Sequence, residues 1–517
     1  MVDGTILTVG EVLSAHARLR PSAIGVCDLD RGLSYSDWNS RARRLGNGLL
    51  GLGLKKGDRV GILAYNRIEF AEIYAACAMA GLIAVPINFR LTGPEAAYIL
   101  QDCGARALFV EDALLPTFLS VRDDIGLADN TVFVIGKPET GFGAYEDLIA
   151  GGSDREVDQH VLADDPWCLM YTSGTTGHPK GAIRSHRGMA MLALMTDIEF
   201  SLRLPDRALL VMPMCHANSL NFFTAFLYRG AAIEIFSRAS FNPELCLSAL
   251  SRATFTSLVP THFSMLQNLP HSAQAGAASV EKLLVSSAPA FAETKREIME
   301  MFPNSGLYEL YGSTEAGWVT MLHPNEQFDH LGTVGREVVG SRPIRLLDDD
   351  GNEVPDGQPG ELFSASPYQF DGYWNRTDET AEAMRGDYLS VGDVALRDAH
   401  GFIRLIDRKK NMIITGGENV YPSEVEQALM AHRDVRDAAV VGVHDNKWGE
   451  RVVAAVVMRE GCQGDAAALT DWCQSRLAGY KRPREFVFLA PQDMPRNTTG
   501  KILHRTLREM FADQEKD

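Results

Sequence analysis

Short apolar runs alternate with helical patterns between residues 60 and 288, and this alternation restricts the fold more than any other feature. Seven of the runs have the length and composition of buried strands. They are "VGILAYN" at 60–66, "IAVPIN" at 83–88, "ALFVE" at 107–111, "RALLVMPM" at 207–214, "AAIEIF" at 231–236, "FTSLVP" at 255–260 and "KLLVSSA" at 282–288. Because strands that alternate with helices build layered sheets, the pattern predicts an α/β fold.

The chain has 517 residues, which is too long for a single core, so more than one domain is expected. After about residue 330 the pattern changes to short β-like pieces with many turns, and these lead to a charged joint at 407–410. The residues beyond it have strand and helix patterns of their own, enough for a small core. We therefore predict a large N-terminal domain of layered α/β sheets over 1–407 and a small α+β C-terminal domain over 408–517.

Composition excludes several classes of protein and partner. The formal net charge of −17 argues against nucleic acid and anionic membranes as partners, since both require an excess of Lys and Arg. No apolar run approaches the roughly 20 residues that span a bilayer, and no secretory leader pattern is present, so we expect a cytoplasmic protein. The eight cysteines form no CxxC pair, which favours reduced thiols.

The stretch "YTSGTTGHPKG" at 171–181 combines glycines, hydroxyl side chains and Lys180. Glycines allow backbone N–H groups to approach a ligand, hydroxyls add donors, and the lysine adds a cation, so the stretch is suited to a phosphate chain. It differs from the Walker motif, because no serine or threonine follows the lysine. A solvated loop is the alternative.

Three further segments have functional and structural interpretations. In "YELYGSTE" at 308–315, Tyr311 would stack on a base, Thr314 would bond an oxygen and Glu315 would bind Mg²⁺; a tight turn with a capping hydroxyl is the alternative. Asp393 in "YLSVGDV" suits two ribose hydroxyls, although turn-forming aspartates are commoner. Lys501 in "MPRNTTGK" is, by itself, a surface charge.

Together these segments resemble the adenylate-forming superfamily, which contains acyl-CoA synthetases, aryl-CoA ligases, luciferases and peptide-synthetase adenylation domains. The motifs "YTSGTTGHPKG", "YGSTE", "YLSVGDV", "IDRKKNMIITGGENVYPSEVE" and "PRNTTGKIL" occur in the family's order, and the resemblance spans about residues 10–510. It implies an AMP-forming acid–thiol ligase, which joins a carboxylic acid to AMP, releases pyrophosphate and then transfers the acyl group to coenzyme A.

The resemblance also implies roles for individual residues, with ATP, Mg²⁺ and coenzyme A as cofactor and co-substrates. Lys501, Thr314 and Glu315 would be catalytic, Lys501 bridging the carboxylate and the α-phosphate and Glu315 binding the metal. The nucleotide would be held by Thr172, Ser173, Gly174, Thr175, Thr176, Gly177, Lys180, Ser287, Ala288, Pro289, Tyr311, Gly312, Ser313, Asp393 and Arg408. The "SSAP" segment at 286–289 departs from the family's usual glycine-containing version, which weakens the adenine contacts implied there.

Two half-reactions in one site require different residues, and the family exchanges them by rotating the C-terminal domain. The matching hinge position is Lys410. Coenzyme A would be bound by Gly416, Gly417, Trp448, Arg482 and Arg484. The acyl pocket would be lined by His216, Asn218, Leu220, Phe222, Phe223 and Trp318. These apolar side chains favour an aromatic or a medium-to-long aliphatic acid over acetate.

Three other functions are possible alternatives. The first is transfer of the acyl group to a carrier protein, the second is oxidation of the adenylate as in luciferases, and the third is non-catalytic sensing of a nucleotide. The Trp448, Arg482 and Arg484 set favours coenzyme A over a carrier, and Lys501 with Glu315 disfavours the sensor. We expect a small acid, ATP and coenzyme A as partners, with no nucleic acid and no membrane span; a homodimer is an assembly that the sequence allows.

Overall fold

The computed structural model describes residues 7–172, 178–270, 276–285, 292–415, 418–445, 447–496 and 502–513. The strands of these ranges are, in chain order, β1 (Ile24–Asp28), β2 (Gly32–Ser34), β3 (Arg59–Leu63), β4 (Ile83–Ile87), β5 (Ala105–Glu111), β6 (Val132–Ile135), β7 (Gly143–Ala144), β8 (Pro166–Thr172), β9 (Lys180–Ser185), β10 (Arg207–Leu210), β11 (Ala232–Ile235), β12 (Phe255–Leu258), β13 (Lys282–Val285), β14 (Gly306–Ser313), β15 (Gly317–Leu322), β16 (Arg336–Glu337), β17 (Arg345–Leu347), β18 (Gly360–Phe363), β19 (Met384–Arg385), β20 (Tyr388–Leu389), β21 (Asp393–Arg397), β22 (Ile403–Arg408), β23 (Ile413–Thr415), β24 (Glu418–Val420), β25 (Val435–Asp445), β26 (Gly449–Met458) and β27 (Glu485–Phe488).

The helices are α1 (Val9–Leu19), α2 (Tyr35–Gly51), α3 (Glu69–Ala80), α4 (Gly93–Cys103), α5 (Leu115–Leu119), α6 (Arg122–Ile125), α7 (Tyr145–Gly151), α8 (His186–Phe200), α9 (Ala217–Arg229), α10 (Pro243–Leu250), α11 (Pro260–Gln267), α12 (Ala292–Met301), α13 (Thr377–Ala383), α14 (Pro422–Met430), α15 (Ala466–Gln474) and α16 (His504–Asp513). Within the described ranges, no helix has the length and apolar character needed to cross a membrane.

The chain divides into two compact units. The first comprises the described parts of Met1–Pro343 together with Ser364–Leu389, and the second comprises Ile344–Phe363 together with the described parts of Ser390–Asp517. The predicted domain limit at 407/408 and the predicted hinge at Lys410 stay predictions.

Two large sheets form the first unit. One has the strand order β16-β15-β14-β13-β12-β10-β11-β1-β2, and its strands from β14 to β1 run parallel. The other has the order β7-β6-β5-β3-β4-β8-β9, parallel except for the antiparallel pair β8–β9. The prediction of layered α/β sheets is confirmed.

Alternation along the strands produces the layers, because successive side chains of a strand point to opposite faces. Phe109 of β5 and Leu210 of β10 face one core that also contains Trp38 of α2 and Phe223 of α9. The neighbouring side chain in β10, Leu209, packs in a second core with residues of α10, α11 and α12. Helices therefore cover both faces of the sheet, which is why its strands read as continuous apolar runs.

Each of the seven apolar runs contains a strand, but the run at 207–214 is a strand only as far as Leu210. Beyond it the Asn66 side chain replaces the strand ladder: its Nδ2 donates to the Met212 carbonyl at 3.0 Å, and its Oδ1 accepts from the Met214 N–H at 2.7 Å. The sequence could not indicate this, because Asn66 lies some 150 residues earlier.

The second unit has two sheets, one of order β17-β18-β21-β22 and one of order β24-β23-β26-β25 with β27 beside β26. Alternation again separates two cores, since Val440 of β25 packs in a cluster with residues of α14 and α15, whereas Val441 packs in a cluster with residues of α16. Helices cover both faces of this small sheet, as expected for an α+β domain with its own core.

Candidate active site

The antiparallel strands β8 and β9 contain the two ends of the glycine- and hydroxyl-rich stretch, at Thr172 and Lys180. Thr172 at the end of β8 and Lys180 at the start of β9 are register partners across the antiparallel pair. Pairing therefore fixes the two ends of the segment between them and brings a hydroxyl and an ammonium side chain to one end of the sheet.

A second hairpin, β14–β15, presents the "YELYGSTE" motif. The sequence suggests a loop that follows a strand, but the structure extends β14 as far as Ser313, because β15 pairs with it. The turn is tight: a Cβ atom on Gly312 would lie 2.1 Å from the Gly317 carbonyl oxygen, so a side chain there would clash with backbone. Ser313 closes the turn by accepting the Ala316 N–H at 2.9 Å on its hydroxyl.

Glu315 joins the two hairpins. Its Oε1 accepts hydrogen bonds from the Thr172 hydroxyl at 2.9 Å and from the Tyr373 hydroxyl at 3.0 Å. The residue is buried, with 7% of its surface exposed. Two hydroxyl donors on one oxygen suit an ionised carboxylate, which accepts only.

Lys180 is held by a segment that follows residue 370. Its ammonium forms an ion pair with Glu379 of α13 and lies 5.2 Å from the centre of the Tyr373 ring. Only 11% of the Lys180 side chain is exposed, so the cation has defined neighbours.

Arg184 of β9 forms a hydrogen bond with the backbone of the β14–β15 turn. Its Nη1 donates to the Thr314 carbonyl at 2.8 Å, which places a buried cation next to the acidic motif. Burial lowers the pKa of this guanidinium from its ordinary value, although arginine stays charged at neutral pH.

The Glu315 surroundings fit a magnesium ion. Mg²⁺ prefers hard oxygen ligands and is usually bound through one or two carboxylates together with substrate phosphates. The Glu315 carboxylate and the Thr172 hydroxyl, in hydrogen-bond contact with each other, are such oxygens. The described residues thus supply one carboxylate and one hydroxyl of the kind that Mg²⁺ binds beside substrate phosphates.

The predicted ribose pair lies in the second unit. Asp393 and Arg408 are register partners in β21 and β22, and Arg408 Nε lies 2.9 Å from Asp393 Oδ1. The pairing of two consecutive strands therefore brings these two side chains into contact. The nearby Lys410 has a pKa below its ordinary value, chiefly because of burial and also because of the Arg408 charge.

Two of the predicted coenzyme A residues are also in contact. The Arg484 guanidinium carbon lies 4.3 Å from the centre of the Trp448 ring. Arg482 is used differently: its Nε donates to the Leu477 carbonyl at 2.9 Å and its Nη2 to the Gln474 carbonyl at 3.2 Å, at the end of α15.

The predicted acyl-pocket residues occupy different surroundings. Asn218 and Phe222 share the α9 face towards β12, where Asn218 Nδ2 donates to the Ser257 hydroxyl at 3.1 Å. Phe222 lies 5.4 Å from Trp318, ring centre to ring centre. Trp318 Nε1 donates to the Thr196 hydroxyl at 2.8 Å, so its ring orientation is fixed.

The other members of that set are Phe223, Leu220 and His216. Phe223 packs 5.8 Å from both Trp38 and Tyr74, within the core between the sheets, and Leu220 is buried in the same core. His216 precedes α9, and burial lowers its pKa to about 4, so its imidazole is neutral at pH 7.

Several predicted residues lie outside the described residues: Ser173, Gly174, Thr175, Thr176, Gly177, Ser287, Ala288, Pro289, Gly416, Gly417 and Lys501. Their roles, and those of the described site residues, stay predictions.

Sequence reasoning missed Tyr373, Glu379 and Arg184. Tyr373 is 58 residues from Glu315 in the chain, and no local pattern connects the two. A usable signal was present in "DGYWNRTDET" at 371–380, where aromatic and charged side chains follow a glycine, but such a segment is ordinarily a turn.

Comparison with known proteins agrees with this geometry. A family model described as AMP-binding enzyme matches residues 13–374, and one described as AMP-binding enzyme C-terminal domain matches residues 424–501. Indoleacetate–CoA ligase of Aromatoleum aromaticum is 33% identical over 511 residues, covering 98% of each chain. Fatty acid–[acyl-carrier-protein] ligase ScoC of Streptomyces coeruleorubidus is 31% identical, covering 98% of this chain and 96% of the relative. The crystal structure of the anthranilate CoA ligase AuaEII with anthranoyl-AMP has a TM-score of 0.89 at 26% identity, covering 99% of this chain and 98% of that chain.

The two hairpins, the acidic motif and the C-terminal sheet are thus features of a class of enzymes that bind AMP. The chain is a member of the AMP-binding enzyme family. The predictions of the family, of its α/β fold and of an AMP-forming acid–thiol ligase are confirmed.

Proposed function

We propose that this enzyme joins a carboxylic acid to coenzyme A in two steps. In the first, a carboxylate oxygen attacks the α-phosphorus of ATP, the bond between the α-phosphorus and the bridging oxygen breaks, and pyrophosphate leaves. In the second, the coenzyme A sulfur attacks the acyl carbonyl, AMP leaves, and the thiol proton passes to solvent or a base. The observation that carries the proposal is the Thr172–Glu315 hydrogen bond, which joins the glycine-rich hairpin to the acidic motif.

The first step is hindered by repulsion between the carboxylate and the triphosphate. Thr172 and Lys180 would donate to phosphate oxygens, with Glu315 as the metal ligand; Mg²⁺ would supply charge neutralisation when bound. Lys501 would bridge the two reacting groups, and Asp393 with Arg408 would bond the ribose hydroxyls. In the second step, rotation about Lys410 would exchange Lys501 for the segment with Gly416 and Gly417.

The acid is proposed to be aromatic or medium-to-long aliphatic. Phe222 and Trp318 form a rigid aromatic pair at the predicted pocket, and neither offers a charge to a polar acid. The relatives described above act, by name, on indoleacetate, on fatty acids and on anthranilate.

The test is a pyrophosphate-release screen over carboxylic acids, with ATP and Mg²⁺ and with detection of the acyl-CoA product. We expect release with at least one aromatic or medium-to-long aliphatic acid and little with acetate. If acetate is the best substrate, or if no acid releases pyrophosphate, the proposal is wrong.

A carrier protein is the second candidate for the acyl acceptor, favoured by the likeness to ScoC, which is named for a carrier. The two acceptors are separated by product: free acyl-CoA forms in one case, and acylated carrier alone in the other. No observation favours oxidation of the adenylate as in luciferases.

We expect Arg484→Ala to raise the KM for coenzyme A roughly 3- to 10-fold, because an exposed charge-assisted contact and a ring contact are lost. Its guanidinium lies over Trp448, which gives the pair a flat, cationic surface. The rate of ATP–pyrophosphate exchange should be unchanged.

Arg476→Ala is the matched control for that variant, because the Arg476 guanidinium carbon also lies over a tryptophan ring, 3.2 Å from the centre of Trp472, and the residue has no predicted role in binding coenzyme A. This control should keep a KM for coenzyme A close to that of the wild type. If the Arg484→Ala enzyme has the wild-type KM for coenzyme A, coenzyme A binds at another site and the assignment of Arg484 is wrong.

A further inference from the structure

Tyr373 contacts two groups that the proposed function assigns to ATP. The centre of its ring lies 5.2 Å from the Lys180 ammonium, and its hydroxyl donates to Glu315 Oε1 at 3.0 Å. One rigid side chain therefore touches a phosphate-binding cation with its face and a metal-binding carboxylate with its edge.

The backbone on both sides of Tyr373 is anchored. The Tyr373 N–H donates to the Thr380 hydroxyl at 2.9 Å, and the Trp374 N–H donates to the Gly181 carbonyl at 2.8 Å, next to Lys180. Phe370 packs edge-on against the ring, with 4.8 Å between the ring centres. These contacts fix the ring with respect to β9, the strand that carries Lys180.

The same segment supplies a second contact to the ammonium. Glu379 of α13, six residues after Tyr373, forms an ion pair with Lys180. Arg376, between them, pairs with Asp102 and thereby ties the segment to α4. The segment 371–380 is thus built around Lys180, although it lies about 190 residues away in the chain.

We propose that Tyr373 is a positioning residue that couples Lys180 to Glu315, so that the phosphate-binding cation and the metal-binding carboxylate are fixed relative to each other before ATP binds. The inference rests on the proposed function for the roles of Lys180 and Glu315. Groups that are aligned before ATP binds need no reorganisation when charge develops in the transition state. Much of the rate enhancement of such sites comes from this alignment.

The two contacts separate by mutation. Tyr373→Phe keeps the ring beneath Lys180 and removes the hydrogen bond to Glu315, whereas Tyr373→Leu removes both. Tyr388→Phe is the matched control, because the Tyr388 hydroxyl also donates a hydrogen bond, at 3.2 Å to the Pro343 carbonyl, and the residue has no predicted role in binding ATP or Mg²⁺.

The experiment measures ATP–pyrophosphate exchange against the concentrations of Mg²⁺ and of ATP. It also measures the rise in melting temperature that ATP causes with and without Mg²⁺. For Tyr373→Phe we expect an apparent Mg²⁺ requirement about 3- to 10-fold higher, with the Mg²⁺-free ATP effect unchanged. For Tyr373→Leu we expect, in addition, a KM for ATP about 10-fold higher and a smaller Mg²⁺-free ATP effect. Tyr388→Phe should match the wild type in all of these.

A purely structural role would lower the melting temperature of the free protein and leave the Mg²⁺ requirement as it is. A Tyr373→Phe enzyme with the wild-type Mg²⁺ dependence, in exchange and in the melting measurement, would overturn the proposal. The melting measurement needs no acid substrate, so it tests the coupling even if no acid in the screen supports exchange. In that case the proposed function fails and the coupling is judged on its own.

Discussion

Replacing Glu315 by glutamine is expected to lower the rate of acyl-adenylate formation by about 100-fold or more at saturating ATP, because the proposed Mg²⁺, which would neutralise the leaving pyrophosphate, would lose its proposed anionic protein ligand. Glutamine has nearly the same shape, and the Thr172 and Tyr373 hydroxyls can reorient towards an amide. The melting temperature should therefore change little, which separates a chemical loss from unfolding. The measurement is ATP–pyrophosphate exchange with the best acid from the screen.

Glu382→Gln is the control for this variant, since Glu382 is an exposed carboxylate of α13 and its loss changes the net charge equally. Its exchange rate should stay within about twofold of the wild type, as is usual for surface substitutions. A Glu315→Gln enzyme that also retained the wild-type exchange rate would show that the metal is bound by other groups.

Lys501→Ala is expected to reduce adenylate formation by about 1,000-fold or more while largely sparing thioester formation from a supplied acyl-adenylate. Lys501 lies outside the described residues, and its expected role follows from the family resemblance and from its charge. A cation between the carboxylate and the α-phosphate relieves repulsion that exists only in the first half-reaction, since the supplied adenylate already contains the new bond. Single-turnover rates of both half-reactions provide the measurement.

Lys55→Ala is the control here, because Lys55 is an exposed lysine of the first unit and should leave both rates unchanged. Parallel loss of both half-reactions in Lys501→Ala would contradict the assignment, since it would indicate a lysine needed for folding or for both arrangements of the enzyme.

Much of the architecture was predictable because it follows from local pattern. The runs at 83–88 and 107–111 are strands at nearly the predicted bounds, Ile83–Ile87 and Ala105–Glu111, since a strand buried on both faces must be apolar at every position. The end of β10 at Leu210 was not predictable, because a side chain from a distant part of the sequence, Asn66, satisfies the backbone there.

The candidate site was likewise predictable from the sequence only in part. By itself the sequence determined the class of the protein and the residue types at the site, since the order of "YTSGTTGHPKG", "YGSTE" and "YLSVGDV" is a property of the linear chain. It also pointed to Glu315 as a metal ligand and to Lys180 as a phosphate ligand, from side-chain chemistry together with the resemblance.

Only the tertiary structure decided which of those residues meet and what holds them. The Glu315 hydrogen bonds reach 143 residues back to Thr172 and 58 residues forward to Tyr373, and the Lys180 ion pair reaches forward to Glu379. Such contacts depend on how two hairpins and a turn are placed by the sheets, and that placement is set by packing of the cores rather than by any local pattern. For this reason the sequence did not indicate which residues Tyr373 and Glu379 contact.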